Sequence, residues 1–195
     1  MLIVFADPGR VEVVLLAGGL GCPVCGAALG PWGHARERVL RCRGGEYRRL
    51  LPRRARCRGC LGTHVLLPDV AFLRRRDEVA VIGAAVVAHV AGDGYRRIAG
   101  RLGVPADTVR GWLTRFGQRA ELIRAHFTRC AVLLDPELGP VLAAQNSVGD
   151  ALEAIAVCAR AWVLRFGPAE LWPIVSRVSG GLLFTTRVPA FPWPA

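Results

Sequence analysis

The order of apolar and polar residues predicts a mostly helical chain with a few short strands near its N-terminus. Asp7-Pro8 is a typical start for a helix, and Gly18-Gly19 is a typical stop for it. The paired glycines Gly44-Gly45 predict a turn between two strands. Short segments bounded by turn residues predict strands at residues 2–6, 38–40, 47–51 and 61–67.

Helical periodicity dominates after residue 76. Asp77-Glu78 opens a strongly apolar helix that Gly92 and Gly94 end. In the C-terminal part, Ser147 and Asp150 have the spacing of a capping box, and the tail from residue 182 is apolar and rich in proline. We expect this tail to pack in extended form. Further helices are predicted at residues 118–134, 147–166 and 169–178.

The twenty residues from Tyr95 to Thr114 have the pattern of a helix-turn-helix. Ala99 is small where two helices would cross closely, and Gly103 can adopt the positive φ of a sharp turn. Pro105 is tolerated where the second helix begins, because the N–H that it lacks has no partner within the helix. The apolar positions that would fix the angle between the helices are Ile98, Leu102, Val104, Val109 and Trp112.

In a helix-turn-helix the second helix lies in the major groove of DNA. Arg110 has the reach and the paired donors to bind a guanine edge, and a phosphate contact is the alternative for this side chain. We expect the following residues to face the groove: Ala106, Asp107, Arg110 and Thr114. We expect the following to meet phosphates: Arg97, Arg101 and Arg115. The remaining side chains of this helix, Val109, Trp112 and Leu113, should face the core.

Two Cys-x-x-Cys pairs precede this unit, Cys22/Cys25 and Cys57/Cys60. Each tight turn presents two thiols on one side, and two such turns suit a tetrahedral Zn²⁺ ion with a structural role. His34, Cys42 and His64 lie in the same region and are alternative ligands. Cys130 and Cys158 stand in apolar helical surroundings and should be small core residues.

The charge of the chain is uneven, and this favours a nucleic-acid partner. All 26 basic residues are arginines, and the net charge is +11. Residues 1–129 hold 22 arginines and 10 acids, whereas residues 130–195 hold 4 arginines and 5 acids. Ten arginines and two acids fall within residues 36–58, either as a solvated face or as a second phosphate-contacting surface.

The N-terminus has no basic segment or cleavage site of a secretory signal, and the longest apolar run is too short to span a membrane. We therefore expect a cytoplasmic protein, in which paired cysteines bind metal rather than form disulfides. We also expect no membrane contact, no small-molecule substrate and no enzymatic activity. The sparsely charged residues 139–178 could pair with a partner, and a homodimer is one option.

The motifs CPVCG, WGHARERVLR, RRARCRGC and YRRIAGRLGVPADTVRGWL follow one another between residues 20 and 118. This order resembles the N-terminal region of bacterial insertion-sequence transposases, in which a zinc finger and a helix-turn-helix precede a catalytic domain. It also resembles an actinobacterial helix-turn-helix family of unassigned function. The resemblance implies DNA binding and places His34 where such transposases often carry a histidine between the cysteine pairs.

The chain departs from the transposases after residue 118. Their catalytic domain needs three converging carboxylates on an RNase-H-like sheet, and the 77 residues that follow are mostly helical with few acids. Transposase activity is therefore not implied. The sequence predicts a zinc-ribbon module at residues 1–68, a three-helix helix-turn-helix domain at 69–118 and a helical C-terminal region at 119–195.

The sequence thus predicts a zinc-stabilised protein that binds double-stranded DNA. It would act as a transposon-associated accessory factor or as a transcriptional regulator. Two other interpretations stay open. One is the DNA-binding subunit of a truncated or split transposase, and the other is an adaptor that binds a protein partner.

Overall fold

The structure is a computed structural model that describes residues 1–139, 141, 143–144, 146–185 and 191. Within these residues the chain is mostly helical with a small sheet, as the sequence predicts. Among the described residues, strands lie within the first 68 positions, and helices occupy most of the others. None of the helices in the described part combines the length and the apolar character that a membrane span requires.

A four-stranded sheet forms the N-terminal part of the molecule, in the spatial order β1-β6-β5-β2. The first strand, β1, pairs in parallel with β6, and the other pairs are antiparallel. Helix α1 begins after Asp7, whose carboxylate accepts the Gly9 N–H at 2.8 Å. The bounds are β1 Leu2–Val4, α1 Pro8–Leu16, β2 Leu29–His34, β5 Arg53–Cys57 and β6 Thr63–Pro68.

Strands β2 and β5 are not predicted from the sequence, and β6 begins later than predicted. In β2, Gly30, Pro31 and Gly33 are residues that disfavour strands. The strand still pairs with β5 from Leu29 to Pro31, and its register then shifts before His34. The strand predicted at 61–67 begins two residues later, at Thr63, because Leu61 has a positive φ of 60°.

A separate two-stranded hairpin lies outside this sheet. Strand β3 (Arg38–Arg41) and strand β4 (Tyr47–Leu50) pair as predicted around a turn at Gly44 and Gly45, which have φ angles of 71° and 80°. Leu40 is fully buried against Leu67 and other apolar side chains at the base of the hairpin. The hairpin continues the β2–β5 pair, because the N–H of Ala35 donates to the Pro52 carbonyl at 2.8 Å between the two pairs of strands.

Helices α2, α3 and α4 contact one another in pairs. Helix α2 (Val79–Val90) is buried along most of its length, as its apolar sequence predicts. Helix α3 (Tyr95–Leu102) ends at Gly103, which has a φ of 64°, and α4 (Ala106–Gln118) follows. Pro105 is the residue before α4 rather than its first residue.

Among the last three helices, α5 packs against α6. Helix α7 packs against both α2 and α6. Their bounds are α5 Ala120–Leu134, α6 Ser147–Phe166 and α7 Leu171–Val178. The predicted continuous helix at 118–134 is wrong at its start, because Arg119 interrupts the helical backbone between α4 and α5. The predicted helix 169–178 begins two residues later, at Leu171.

The predicted capping box of α6 is also wrong. Asn146 is the cap, and its side-chain oxygen accepts the Gly149 N–H at 2.9 Å. Asp150 instead accepts the N–H of Ala144 and closes the loop that leads into the helix.

One hydrophobic cluster takes buried side chains from Phe72 to Phe191 and so includes residues from both the 69–118 and 119–195 ranges. Cys130 and Cys158 lie within it as buried side chains, as predicted. Leu183, Phe184 and Phe191 of the tail are buried there too, whereas residues 186–190 and 192–195 lie outside the described residues. The domain boundaries stay a prediction.

Candidate metal centre and nucleic-acid interface

Four thiols converge beside the N-terminal sheet. The Sγ atoms of Cys22, Cys25, Cys57 and Cys60 all lie within 4.8 Å of one another. The Sγ atoms of Cys22 and Cys60 are 3.7 Å apart, and those of Cys25 and Cys57 are 3.4 Å apart. A Zn²⁺ ion bonded at about 2.3 Å to four tetrahedral thiolates sets sulfurs about 3.8 Å apart. The cluster can therefore hold a metal ion of this size.

The two knuckles that supply these thiols have the same backbone closure. The N–H of Cys22 donates to the Ala27 carbonyl at 2.8 Å, and the N–H of Cys57 donates to the Gly62 carbonyl at 2.9 Å. The residue after the second cysteine is left-handed in both knuckles, namely Gly26 in one and Leu61 in the other. The two Cys-x-x-Cys sequences thus fold into equivalent turns that face each other.

Backbone N–H groups point at the first sulfur of each knuckle. The N–H of Val24 lies 3.4 Å from Cys22 Sγ, and the N–H of Gly59 lies 3.3 Å from Cys57 Sγ. Such donors stabilise a thiolate more than a thiol. Gly59 also lets the knuckles approach, because a Cβ at this position would lie 2.9 Å from the Cβ of Ala27.

The four thiols influence one another strongly. Burial opposes ionisation of Cys57, yet the N–H groups of Cys60 and Gly59 and the Cys25 thiol lower its pKa to about 6. At Cys60 the Gly62 N–H favours the thiolate, but the three neighbouring cysteines outweigh it and raise the pKa to about 11. Several thiolates this close repel one another, and a bound divalent cation relieves that repulsion.

The three alternative ligands lie in different places. His34 is exposed at the end of β2, and Cys42 is buried in the hairpin with its Sγ 3.9 Å from the Leu40 carbonyl. Neither belongs to the group of converging metal-binding atoms. His64 is buried, and its Nε2 lies 3.4 Å from Cys22 Sγ. The Met1 amino group lies 3.2 Å from Nδ1 of this ring, which leaves the proton on Nε2 and lets Nε2 donate to the Cys22 sulfur.

A second candidate site lies on α3 and α4. Ile98, Val109 and Trp112 are buried, and Leu113 packs against the same core, as the sequence predicts. Arg110 and Asp107 form an exposed ion pair at 3.0 Å on the outer face of α4, and Thr114 is exposed on the same helix. The remaining predicted groove residue, Ala106, is half-buried and packs against the core.

The three arginines predicted to contact phosphates differ in their exposure and in their partners. Asp93 lies 2.9 Å from Arg101 and 3.5 Å from Arg97, and both arginine side chains stay more than half exposed. Arg115 is half-buried, and its Nη1 donates to the Gly111 carbonyl of its own helix at 2.7 Å. Arg97 and Arg101 are thus more accessible to a partner than Arg115.

Sequence reasoning missed two features of these sites. It treated His64 only as an alternative ligand, although its position on β6 brings the ring to the sulfur of Cys22. It also gave no indication that Arg119 is buried and donates to the Thr185 carbonyl. No signal in the local sequence distinguishes a buried arginine of this kind from its exposed neighbours.

Residues 22–99 match the family described as Domain of unknown function (DUF6431), which is less than half of the chain. The match begins at the first cysteine of the four-thiol cluster and ends within α3, before Gly103 and α4. No curated protein and no solved structure matches the chain.

Proposed function

We propose that this protein is a non-enzymatic, zinc-stabilised protein that binds double-stranded DNA through a helix-turn-helix formed by α3 and α4. It would serve as a transposon-associated accessory factor or as a transcriptional regulator. The observation that carries the proposal is the division of α4 into two faces. Val109, Trp112 and Phe116 are buried, while Asp107, Arg110 and Thr114 are exposed.

The spacing of these residues explains the division. The buried residues are separated by three and four positions, and so are the exposed ones, which places each set on one side of a helix. The buried side fixes α4 against α2 and α3. The exposed side is left to contact a partner, and its arginine can donate two hydrogen bonds to a guanine.

Gly103 sets the angle between the two helices. Its φ of 64° is a conformation that glycine adopts without the strain that other residues suffer. A Cβ at this position would meet no atom within 4 Å, so the constraint is the backbone conformation and not the space. In DNA-binding proteins, a tight turn of this kind presents the N-terminal end of the second helix to the major groove. The corresponding helix here is α4.

The charge of the α3–α4 surface is compatible with DNA. Arg96, Arg97 and Arg101 are exposed on α3, and Arg110 is exposed on α4. Asp93 and Asp107 lie beside three of these side chains and hold them by ion pairs that solvent screens. Phosphate groups can compete for these arginines, because exposed ion pairs contribute little stability.

We assign a structural role to the metal. The four Cys side chains would bind Zn²⁺ and leave no coordination position for a substrate, which is the arrangement of structural sites. Cys22 and Cys57 are also part of the hydrophobic cluster that joins α1 to the sheet. Metal binding would therefore stabilise the N-terminal sheet.

Selection from a random pool of duplexes tests this function directly. The zinc-loaded full chain is incubated with the pool at about 100 mM salt, and bound DNA is amplified and sequenced over several rounds. Enrichment of one motif is the expected result, and a two-fold-symmetric motif would also indicate a dimer. The function is refuted if no motif is enriched and labelled duplexes of mixed sequence fail to bind at 50 mM salt.

A further inference from the structure

The β3–β4 hairpin has one buried face and one open face. Leu40 and Leu50 point inward to the small cluster at its base. On the opposite face Val39, Tyr47 and Arg49 are exposed, and the side chain of Arg49 retains 83% of its accessible surface. An outward face that combines an aromatic ring with arginine is suited to a polyanionic partner.

The backbone attaches this hairpin firmly to the start of α2. The N–H of Arg41 donates to the Arg76 carbonyl at 2.8 Å, and the N–H of Glu78 donates to the Arg41 carbonyl at 2.9 Å. Side chains add two ion pairs, Arg41 with Asp77 at 3.4 Å and Arg48 with Glu78 at 3.1 Å. The hairpin is therefore held against the helical part of the molecule.

The turn of the hairpin lies beside α3. The short 3₁₀ turn Arg43–Gly45 is the tip, and its backbone neighbours that of α3. In helix-turn-helix proteins the first helix of the pair crosses the sugar-phosphate backbone while the second enters the groove. A basic element beside α3 would thus meet the phosphates that flank the bases read by α4.

We propose that the β3–β4 hairpin is a second DNA-contacting element, which binds duplex phosphates beside the site of α4 through Arg43 and Arg49. This inference rests on the proposed DNA-binding function. The hairpin would recognise DNA electrostatically, through its phosphates and independently of base sequence. The hairpin would contribute affinity and orientation, and α4 would contribute sequence preference.

The acids of the hairpin do not cancel this charge. Residues 36–50 contain six arginines and two glutamates. Asp77 and Glu78 of the α2 start neutralise Arg41 and Arg48, which act as anchors. Glu37 lies 4.0 Å from Arg49, and both side chains are more than half exposed, so solvent screens this pair and a phosphate can replace it.

Salt titration of DNA binding tests the hairpin. Affinity for a fluorescein-labelled duplex of mixed sequence is measured by anisotropy between 50 and 200 mM NaCl. The variant R43Q/R49Q is compared with R160Q/R165Q, which removes the same charge from exposed positions on α6. If two phosphate contacts are lost, the slope of log affinity against log salt falls by about 1.8 in the hairpin variant. The control variant should keep the wild-type slope.

The outcomes separate the two proposals. If the wild-type chain binds no duplex at 50 mM NaCl, the proposed function itself fails. If the wild-type chain binds and R110A lowers its affinity, but R43Q/R49Q and R160Q/R165Q give equal slopes, the hairpin inference alone is overturned. Hydroxyl-radical footprints give an independent check. The wild-type protein should protect backbone positions that R43Q/R49Q leaves open at saturation, and identical footprints would contradict the inference.

Discussion

The imidazole Nε2 of His64 lies 3.4 Å from the Sγ of Cys22, and the ring is buried. His64 stands on β6 beside the second knuckle, whereas Cys22 opens the first. The contact therefore links the two halves of the four-thiol cluster. Residues that hydrogen-bond to a metal-binding side chain orient that side chain and change its affinity for the metal.

We predict that His64→Ala weakens Zn²⁺ binding by about 10- to 100-fold, as is typical for loss of an outer-shell partner. Competition with a chromophoric chelator measures this affinity. His34→Ala is the matched control, because His34 is exposed and outside the thiol cluster. His64→Gln should recover part of the affinity, since its amide can still donate to sulfur. Wild-type affinity in His64→Ala would show that the contact has no role.

The cysteine cluster predicts about one equivalent of zinc per chain, which elemental analysis of protein purified without added zinc can check. Cys57→Ser should lose this metal and expose the N-terminal part to proteolysis, because metal binding and folding are coupled. Cys42→Ser should retain it, since Cys42 lies in the separate hairpin. Full zinc retention in the Cys22→Ser/Cys57→Ser double variant would contradict the assignment.

A close approach between α2 and α7 predicts a site where one methyl group destabilises the protein. A Cβ at Gly83 would lie 1.8 Å from the ring of Trp172. Gly83→Ala should lower the free energy of unfolding by about 1–3 kcal/mol, as overpacking of a core does. Gly100→Ala is the control, because a Cβ there meets no atom within 4 Å and alanine favours the helix. Thermal unfolding compares the two, and equal Tm values would disprove the close approach.

Much of the fold and the four residues of the candidate metal site could be predicted from local sequence patterns. The spacing Cys-x-x-Cys was sufficient to select the four thiols, because each knuckle is closed by hydrogen bonds within six residues. The extent of α6 was also predictable from its periodicity and from the Gly167-Pro168 stop. The buried face of α4 followed from the helical spacing of Val109 and Trp112.

Features that depend on distant partners could not be predicted. Strand β2 contains Gly-Pro-Trp-Gly and forms because β5 offers it a partner, not because of its own propensity. The hairpin docks on the start of α2 through Asp77 and Glu78, which are some thirty residues from its strands in sequence. The burial of Arg119 depends on the Thr185 carbonyl in the tail. None of these contacts can be predicted from the residues near either partner in the sequence.

If α4 reads DNA bases, replacing Arg110 has a different effect on DNA binding from replacing Arg101. Arg110→Ala should relax preference at one base position, where a bidentate guanine contact contributes about 1–3 kcal/mol of discrimination. Arg101→Ala should weaken all sequences alike and lower the salt slope by about 1, because that residue would meet phosphate.

The measurement is the affinity of the wild-type protein and both variants for the selected duplex and for each of its single-base variants. We predict that Arg110→Ala flattens the affinity profile at one base position and that Arg101→Ala leaves the shape of the profile unchanged. Equal weakening at every sequence by Arg110→Ala would contradict base reading by this residue. If neither substitution changes the affinity for DNA, the α3–α4 unit is not the DNA-binding element.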